Sequence, residues 1–154
     1  MKAKTRFFGE VDIPQEKVIT METGMIGFPA LKHFALIFDE EKGIDKSNIM
    51  WLQNLDDGDI AFPVMIPTKL KPDYSPNVSE EIIAPLGTLT PENTYILVTV
   101  TAPAKKEDIS INLKAPVIIN TDNNKGVQLI VEDNYPVKFR IYDLLQAGKE
   151  KAGE

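Results

Sequence analysis

The stretch Tyr95-Ile96-Leu97-Val98-Thr99-Val100 shows the pattern that decides the fold class of this chain. Successive side chains of a β-strand point to opposite faces, so a run of β-branched and aromatic residues with a period of two predicts a strand. We therefore expect many short antiparallel strands, because the same period recurs along most of the chain. The other alternating runs are residues 34–38, 60–66, 109–113, 117–119, 127–131 and 137–141.

Turn residues separate these runs. Asp122-Asn123-Asn124-Lys125-Gly126 predicts a hairpin loop in which an Asn or the Gly adopts a positive φ. Asp56-Asp57-Gly58-Asp59 predicts the turn between the strands near Trp51 and Phe62. Pro63 interrupts an alternating run, which indicates an edge, a bulge or a bend at that point.

These features predict an all-β fold, a small antiparallel β-barrel-like single domain. Many short strands in one small domain favour a barrel or a sandwich, and closure of a barrel removes exposed strand edges. Helical signal is thin, so we expect at most one short C-terminal helix, near residues 142–149. The domain should cover residues 1–147, followed by a flexible polar tail over residues 148–154.

One phase of the alternating runs predicts the core. Truncation of Phe62 to Ala should cost about 3 kcal/mol of stability if this ring is a core residue. The residues expected to be mostly buried are Phe34, Leu36, Phe62, Val64, Leu97, Ile111, Val117, Ile119, Leu129 and Phe139.

Composition restricts the function. The 154 residues have a formal net charge of −6, which disfavours direct binding to nucleic acid and favours docking onto a basic protein. The absence of cysteine excludes disulfides and thiolate metal sites. No run approaches the roughly 20 apolar residues of a membrane span, and no signal-peptide core follows the basic N-terminus. We expect a cytoplasmic protein without membrane contact.

The residues that could carry chemistry are better explained by structural roles. His33 is the single histidine, so a common zinc site cannot be assembled, and we expect it to lie at the entry of a strand. Asp56-Asp57-Gly58-Asp59 does not fit a calcium loop, because Gly58 and Ile60 would fall on ligand positions. The glycines of residues 24–29 lack the spacing of a phosphate loop. We predict no catalytic residue, no cofactor and no metal.

Several motifs recur here in a recognisable order. Residues 22–29 contain G-x-x-G-F-P, and Trp51-Leu52-Gln53-Asn54-Leu55 is an aromatic/apolar-L-Q segment with Asn where Ser is commoner. Residues 60–64 match an apolar-A-F-x-V strand, and Pro67 with Pro72-Asp73-Tyr74 matches a P…DY element. Residues 112–120 match an N-L-x-A-P-[IV]-x-[IV]-N strand pair, and residues 124–128 match the turn that follows it.

The order and spacing of these motifs resemble the flagellar assembly factor (FliW) family over roughly residues 5 to 142. The resemblance implies a small β-barrel without enzymatic activity that binds flagellin in the cytoplasm and also binds CsrA, an RNA-binding translational repressor. Flagellin and CsrA would compete for the factor. Export of flagellin would free the factor, which then holds CsrA off the flagellin message. We expect the free factor to be a monomer.

Partner contacts are expected where exposed apolar anchors or charges lie on loops. The carboxylate groups Asp39-Glu40-Glu41, Asp56-Asp57-Asp59 and Glu80-Glu81 are expected to be solvated or to face the basic repressor. The candidate partner-binding residues are Met25, Ile26, Phe28, Pro72, Asp73, Tyr74, Glu80, Glu81, Asn124 and Lys125.

Two alternatives remain open. A small β-barrel hydrolase would use carboxylates in the barrel mouth, and a barrel interior filled by Phe34, Leu36, Phe62 and Leu97 would count against it. An oligonucleotide-binding barrel would need exposed aromatic residues flanked by Lys and Arg on one sheet face.

Overall fold

The computed structural model describes residues 1–38 and 49–152, and its regular structure is mostly β. Two α-helices accompany the strands, α1 over Glu80–Ile83 and α2 over Tyr142–Ala152. The strands are β1 Lys2–Thr5, β2 Gly9–Asp12, β3 Ile19–Thr20, β4 His33–Ile37, β5 Met50–Asn54, β6 Ala61–Met65, β7 Thr94–Thr101, β8 Ser110–Ile111, β9 Val117–Asn120, β10 Lys125–Gln128 and β11 Phe139–Arg140. Short 3-10 helices cover Gln15–Lys17, Pro67–Lys69, Ala84–Leu86 and Lys106–Asp108.

Seven of these strands form a closed barrel, which confirms the predicted fold class. They follow the order β7-β6-β5-β4-β3-β10-β9, and β9 pairs back onto β7. The neighbours are antiparallel except β3 and β10, which are parallel. The long strand β7 makes closure possible: its first half, residues 94–97, pairs with β9, and its second half pairs with β6 and β8.

Apolar side chains fill the barrel and also cover its outside. The interior cluster contains Phe34, Leu52, Leu97 and Val117, all with no exposed surface. The β1–β2 hairpin covers Ala35 and neighbouring residues on one outer side. Two further apolar layers lie under the chain near Tyr74 and under the segment near Leu86. Since both faces of the wall are covered, both phases of strand β7 are largely buried.

Most of the predicted core is buried in the structure. Phe34, Val64, Leu97, Ile111, Val117, Ile119 and Leu129 are buried. Leu36, Phe62 and Phe139 are only partly exposed and pack against these clusters, at the margin of the core rather than at its centre. Phe62 lies at the edge of the interior cluster, where the wall between β6 and β7 opens.

Three local features differ from or refine the sequence predictions. The single-turn helix α1, which begins after Ser79, was not predicted. Helix α2 begins at Tyr142 as expected but continues past Gly148 to Ala152. Pro63 lies in a strand with neighbours on both sides, but the β6–β7 register covers Val64↔Thr99 and Met65↔Val98, so this proline lies just beyond it. Its missing N–H explains why the two strands diverge there.

The carboxylates Asp39-Glu40-Glu41 lie outside the residues that the structure describes. Within residues 1–38 and 49–152, none of the helices has the length and apolar character that crossing a bilayer requires.

We predict that Phe34 and Phe62 contribute unequally to stability. The Phe34 side chain has no exposed surface, so Phe34→Ala should cost about 3–5 kcal/mol. Phe62→Ala should cost about 2 kcal/mol, because its ring already keeps part of its contact with water. Urea unfolding of both variants measures the difference. Equal losses would contradict the assignment of Phe62 to the margin of the core.

Candidate binding surface

A tight turn over residues 24–29 lies between strands β3 and β4. Gly24 has a φ of 67° and Gly27 a φ of 88°, conformations that side chains with a Cβ atom rarely adopt. Inside the turn, the Phe28 N–H donates to the Met25 carbonyl at 2.7 Å. A Cβ atom on Gly24 would lie 2.3 Å from the Phe28 carbonyl oxygen, so the turn is closed tightly on this glycine.

The turn presents two apolar side chains and buries a third. Ile26 is 50% exposed and Phe28 is 40% exposed, as expected for contact residues. Met25 is 2% exposed and belongs to the interior cluster, so its predicted exposure is wrong. The Phe28 ring packs edge-on against Phe62 at 5.5 Å, and Phe62 packs against Phe34 at 6.3 Å. The exposed turn is therefore connected to the core by aromatic contacts.

Gln128 fixes the turn to the barrel. Its side-chain oxygen accepts the Ile26 N–H at 2.8 Å, and its side-chain nitrogen donates to the Ala115 carbonyl at 3.1 Å. Because one amide satisfies two backbone groups, the position of Ile26 is set by strand β10 rather than by the turn alone.

Beside the turn lies an open groove of about 510 Å³, which we call the β6–β7 groove. Two strongly exposed apolar residues line it, Ile130 at 62% and Val137 at 58%. Neither was predicted as a site residue. The signal was present for Ile130, which is apolar although it is out of phase with its buried neighbours Leu129 and Val131. The rest of the lining includes Ile26, Phe62, Pro63, Thr99, Asn112 and Lys114.

The second predicted contact region, Pro72-Asp73-Tyr74, divides in the structure. Pro72 and Asp73 are exposed, and the Asp73 carboxylate pairs with the Lys71 ammonium at 3.2 Å. Tyr74 is 5% exposed, its hydroxyl donates to the Leu113 carbonyl at 2.7 Å, and its ring packs on Tyr135. Burial, with Tyr135 and Asp133 nearby, raises the pKa of Tyr74 far above its usual value. The expected exposed tyrosine tip is therefore wrong.

The third region, Asn124 and Lys125, lies where strands β3 and β10 pair in the barrel wall. Asn124 has the positive φ predicted for the hairpin, 54°, and its carbonyl accepts the Thr20 N–H at 2.8 Å. Its side-chain amide donates to the Glu16 carbonyl. Lys125 opens strand β10 and pairs with Thr20. Both residues are half-buried, and Asn124 links strands β3 and β10.

The carboxylate groups differ in what they contact. Glu80 and Glu81 are exposed on α1, and Asp57 and Asp59 are exposed in their turn. Asp56, in contrast, accepts the backbone N–H groups of Lys32 and His33 and contacts the His33 ring at 2.9 Å. Desolvation raises the pKa of Asp56, but the hydrogen bonds from His33 and Lys32 outweigh it and hold the pKa below its ordinary value.

His33 thus has the structural place that the sequence predicts, at the first residue of strand β4. Among residues 1–38 and 49–152, no cluster of three or more His, Asp or Glu side chains could hold a metal ion.

Fold and surface together define a closed β-barrel with an apolar interior and a group of exposed apolar residues on one side. Comparison with known proteins gives the family. The family model described as FliW protein matches residues 2–141. Aligned over all of its residues, the chain is 36% identical to the flagellar assembly factor FliW of Lachnoclostridium phytofermentans, with 99% of that protein covered. It is 40% identical to that of Caldanaerobacter subterraneus, with 95% of this chain and 96% of that protein covered.

The fold agrees with a crystal structure of the flagellar assembly factor FliW at a TM-score of 0.81 and 24% identity. The match covers 92% of this chain and 97% of that one. The chain belongs to the FliW family of flagellar assembly factors.

We predict that the two glycines of the turn tolerate alanine unequally. Gly27→Ala should cost about 1–2 kcal/mol, the penalty of a left-handed backbone, because nothing lies within 4 Å of the added methyl group. Gly24→Ala should cost about 3 kcal/mol or more, since the methyl group also collides with the Phe28 carbonyl. Chemical denaturation of the matched pair measures both costs. A Gly24 variant as stable as the Gly27 variant would contradict this turn geometry.

Proposed function

We propose that this protein binds flagellin in the cytoplasm and antagonises the RNA-binding repressor CsrA by exchanging one partner for the other. Membership of the FliW family over residues 2–141, with relatives named flagellar assembly factor over the full chain, carries the proposal. In this scheme free flagellin occupies the factor, and CsrA represses flagellin translation. Export of flagellin releases the factor, which then binds CsrA and relieves the repression.

The barrel interior supports a binding role over the hydrolase alternative. A hydrolase in the barrel mouth needs polar groups that converge in a pocket. Phe34 and Leu97 instead fill the interior without exposed surface, and Leu36 and Phe62 pack against the same cluster. Signalling by such a protein depends on the relative binding free energies of its partners and on their concentrations.

The distribution of charge supports two separate kinds of contact. CsrA must present a basic face to RNA, and an acidic domain docked beside that face repels the phosphates. The exposed pair Glu80 and Glu81 offers negative charge on α1. The apolar residues Ile26 and Phe28 offer a contact of the other kind, in which burial of apolar surface dominates.

A reconstituted exchange tests the proposal. Fluorescence anisotropy of a labelled flagellin leader RNA bound to CsrA should fall when this protein is added, because CsrA leaves the RNA. Addition of flagellin monomer should then restore the anisotropy, because flagellin takes the factor away. If the protein neither displaces CsrA from RNA nor binds flagellin, the proposed function is wrong.

We predict that association with CsrA depends on salt and on the α1 carboxylates. Raising salt shortens the Debye length from ~10 Å at 0.1 M to ~3 Å at 1 M, so association steered by charge should slow markedly. The double variant Glu80→Lys with Glu81→Lys should also slow association with CsrA, and flagellin binding should change less. Stopped-flow fluorescence across a salt series measures both associations.

The matched control is Glu10→Lys with Glu92→Lys, at two exposed positions outside α1. Each double reversal adds +4 to the formal net charge of −6, giving −2. Equal slowing by both pairs would assign the effect to net charge alone. An association rate that does not change with salt would indicate that these carboxylates only keep the protein soluble.

A further inference from the structure

The β6–β7 groove contains a concentration of exposed apolar surface. Ile26, Ile130 and Val137 line it and are each at least half exposed, and Phe62 lies beside them. Exposed apolar residues on a soluble protein are commonly scattered singly, so a group of them around one concavity indicates a contact surface. Its volume of about 510 Å³ is enough to receive several side chains.

The backbone around the groove disfavours an added β-strand. Strand addition requires free N–H and C=O groups along an edge. Here the Thr99 carbonyl already accepts the Asn112 N–H, the Lys114 carbonyl accepts the Val131 N–H, and Pro63 has no N–H. An α-helix satisfies its own backbone, so it can bind such a surface through side chains alone.

The charge of the groove specifies the occupant further. Among the described residues that line the groove, Lys114 alone is charged. The Lys114 ammonium donates to the Asp133 carbonyl at 2.7 Å, which holds it in place without neutralising it. Within the described part of the chain, no carboxylate lies within 4.0 Å of this ammonium group. A carboxylate on the occupant would complete the pair.

The geometry points to an amphipathic α-helix of flagellin as the occupant, with its apolar face against Ile26, Ile130 and Val137 and a carboxylate facing Lys114. This inference rests on the proposed binding of flagellin. It places flagellin, and not the basic repressor, in this groove, because Lys114 repels a basic surface. Apolar residues at spacings of three and four form the face that such a groove binds.

Flagellin monomer from the bacterium that encodes this chain is the probe for the first test. Ile130→Asp and Val137→Asp should each weaken its binding by more than about tenfold, as loss of a buried apolar anchor does. Ile82→Asp is the matched control, since Ile82 is 42% exposed and lies on α1, outside the groove lining. Thermal unfolding of every variant verifies that the fold is retained, and calorimetry gives the affinities.

Overlapping synthetic peptides of about 20 residues that cover flagellin form the second test. The binding peptide should carry an apolar stripe at helical spacing and at least one carboxylate, and circular dichroism should show that it gains helix on binding. Replacing that carboxylate by Lys should weaken binding to the unchanged protein and strengthen binding to Lys114→Glu. Lys114→Met is the control, and its affinity should differ little between the two peptides.

The results separate failure of the inference from failure of the proposed function. If the unchanged protein does not bind flagellin, both fail. If it binds flagellin and the groove variants bind equally well, or the Ile82 control weakens binding as much, the groove assignment alone is overturned. A binding peptide that is basic or stays extended also overturns it. So does light scattering that shows a dimer dispersed by Ile130→Asp, since a second copy would then cover the groove.

Discussion

The pairing of β7 with β9 is the contact on which the rest of the structure depends. Without Thr94–Leu97 bonded to Val117–Asn120, the seven-stranded sheet would remain open and expose two edges. Closure requires a strand long enough to pair with β9 at one end and with β6 and β8 at the other, and β7 is the strand that does so. The parallel pairing of β3 with β10, which also completes the barrel, is shorter and relies on the Asn124 carbonyl.

The same division of β7 creates the candidate binding surface. Its pairing with β6 reaches Val64↔Thr99, and Pro63 cannot donate a hydrogen bond to extend it. The wall therefore opens beside Phe62, and the residues around the opening become the β6–β7 groove. The 24–29 turn borders this opening, because Gln128 ties Ile26 to the barrel there. The groove is thus a consequence of how the barrel closes rather than an insertion added to it.

The sequence predicted the strands because a period of two depends only on local chain geometry. It could not identify which side chains remain in water. Tyr74 and Met25 are apolar or amphipathic residues in loops, and whether such residues are exposed depends on distant partners such as the Leu113 carbonyl. Asn124 illustrates the same point: its turn conformation was predictable, whereas its bond to Thr20 was not. Ile130 was missed although its phase differs from that of its buried neighbours Leu129 and Val131. Val137 was missed because it shares the phase of buried Ile141 and is nevertheless exposed.

Rigidity of the surface bears on how partners would exchange. Ile26 and Phe28 are held by a turn with two left-handed glycines, by the Gln128 amide and by the contact of Phe28 with Phe62. A surface that is already ordered loses little conformational entropy when a partner binds, so more of the contact energy appears as affinity. A flexible turn would bind flagellin, the partner proposed for this surface, more weakly at the same contact area. In the proposed exchange, an ordered turn would therefore let partner concentration, and not refolding of the factor, decide which partner is bound.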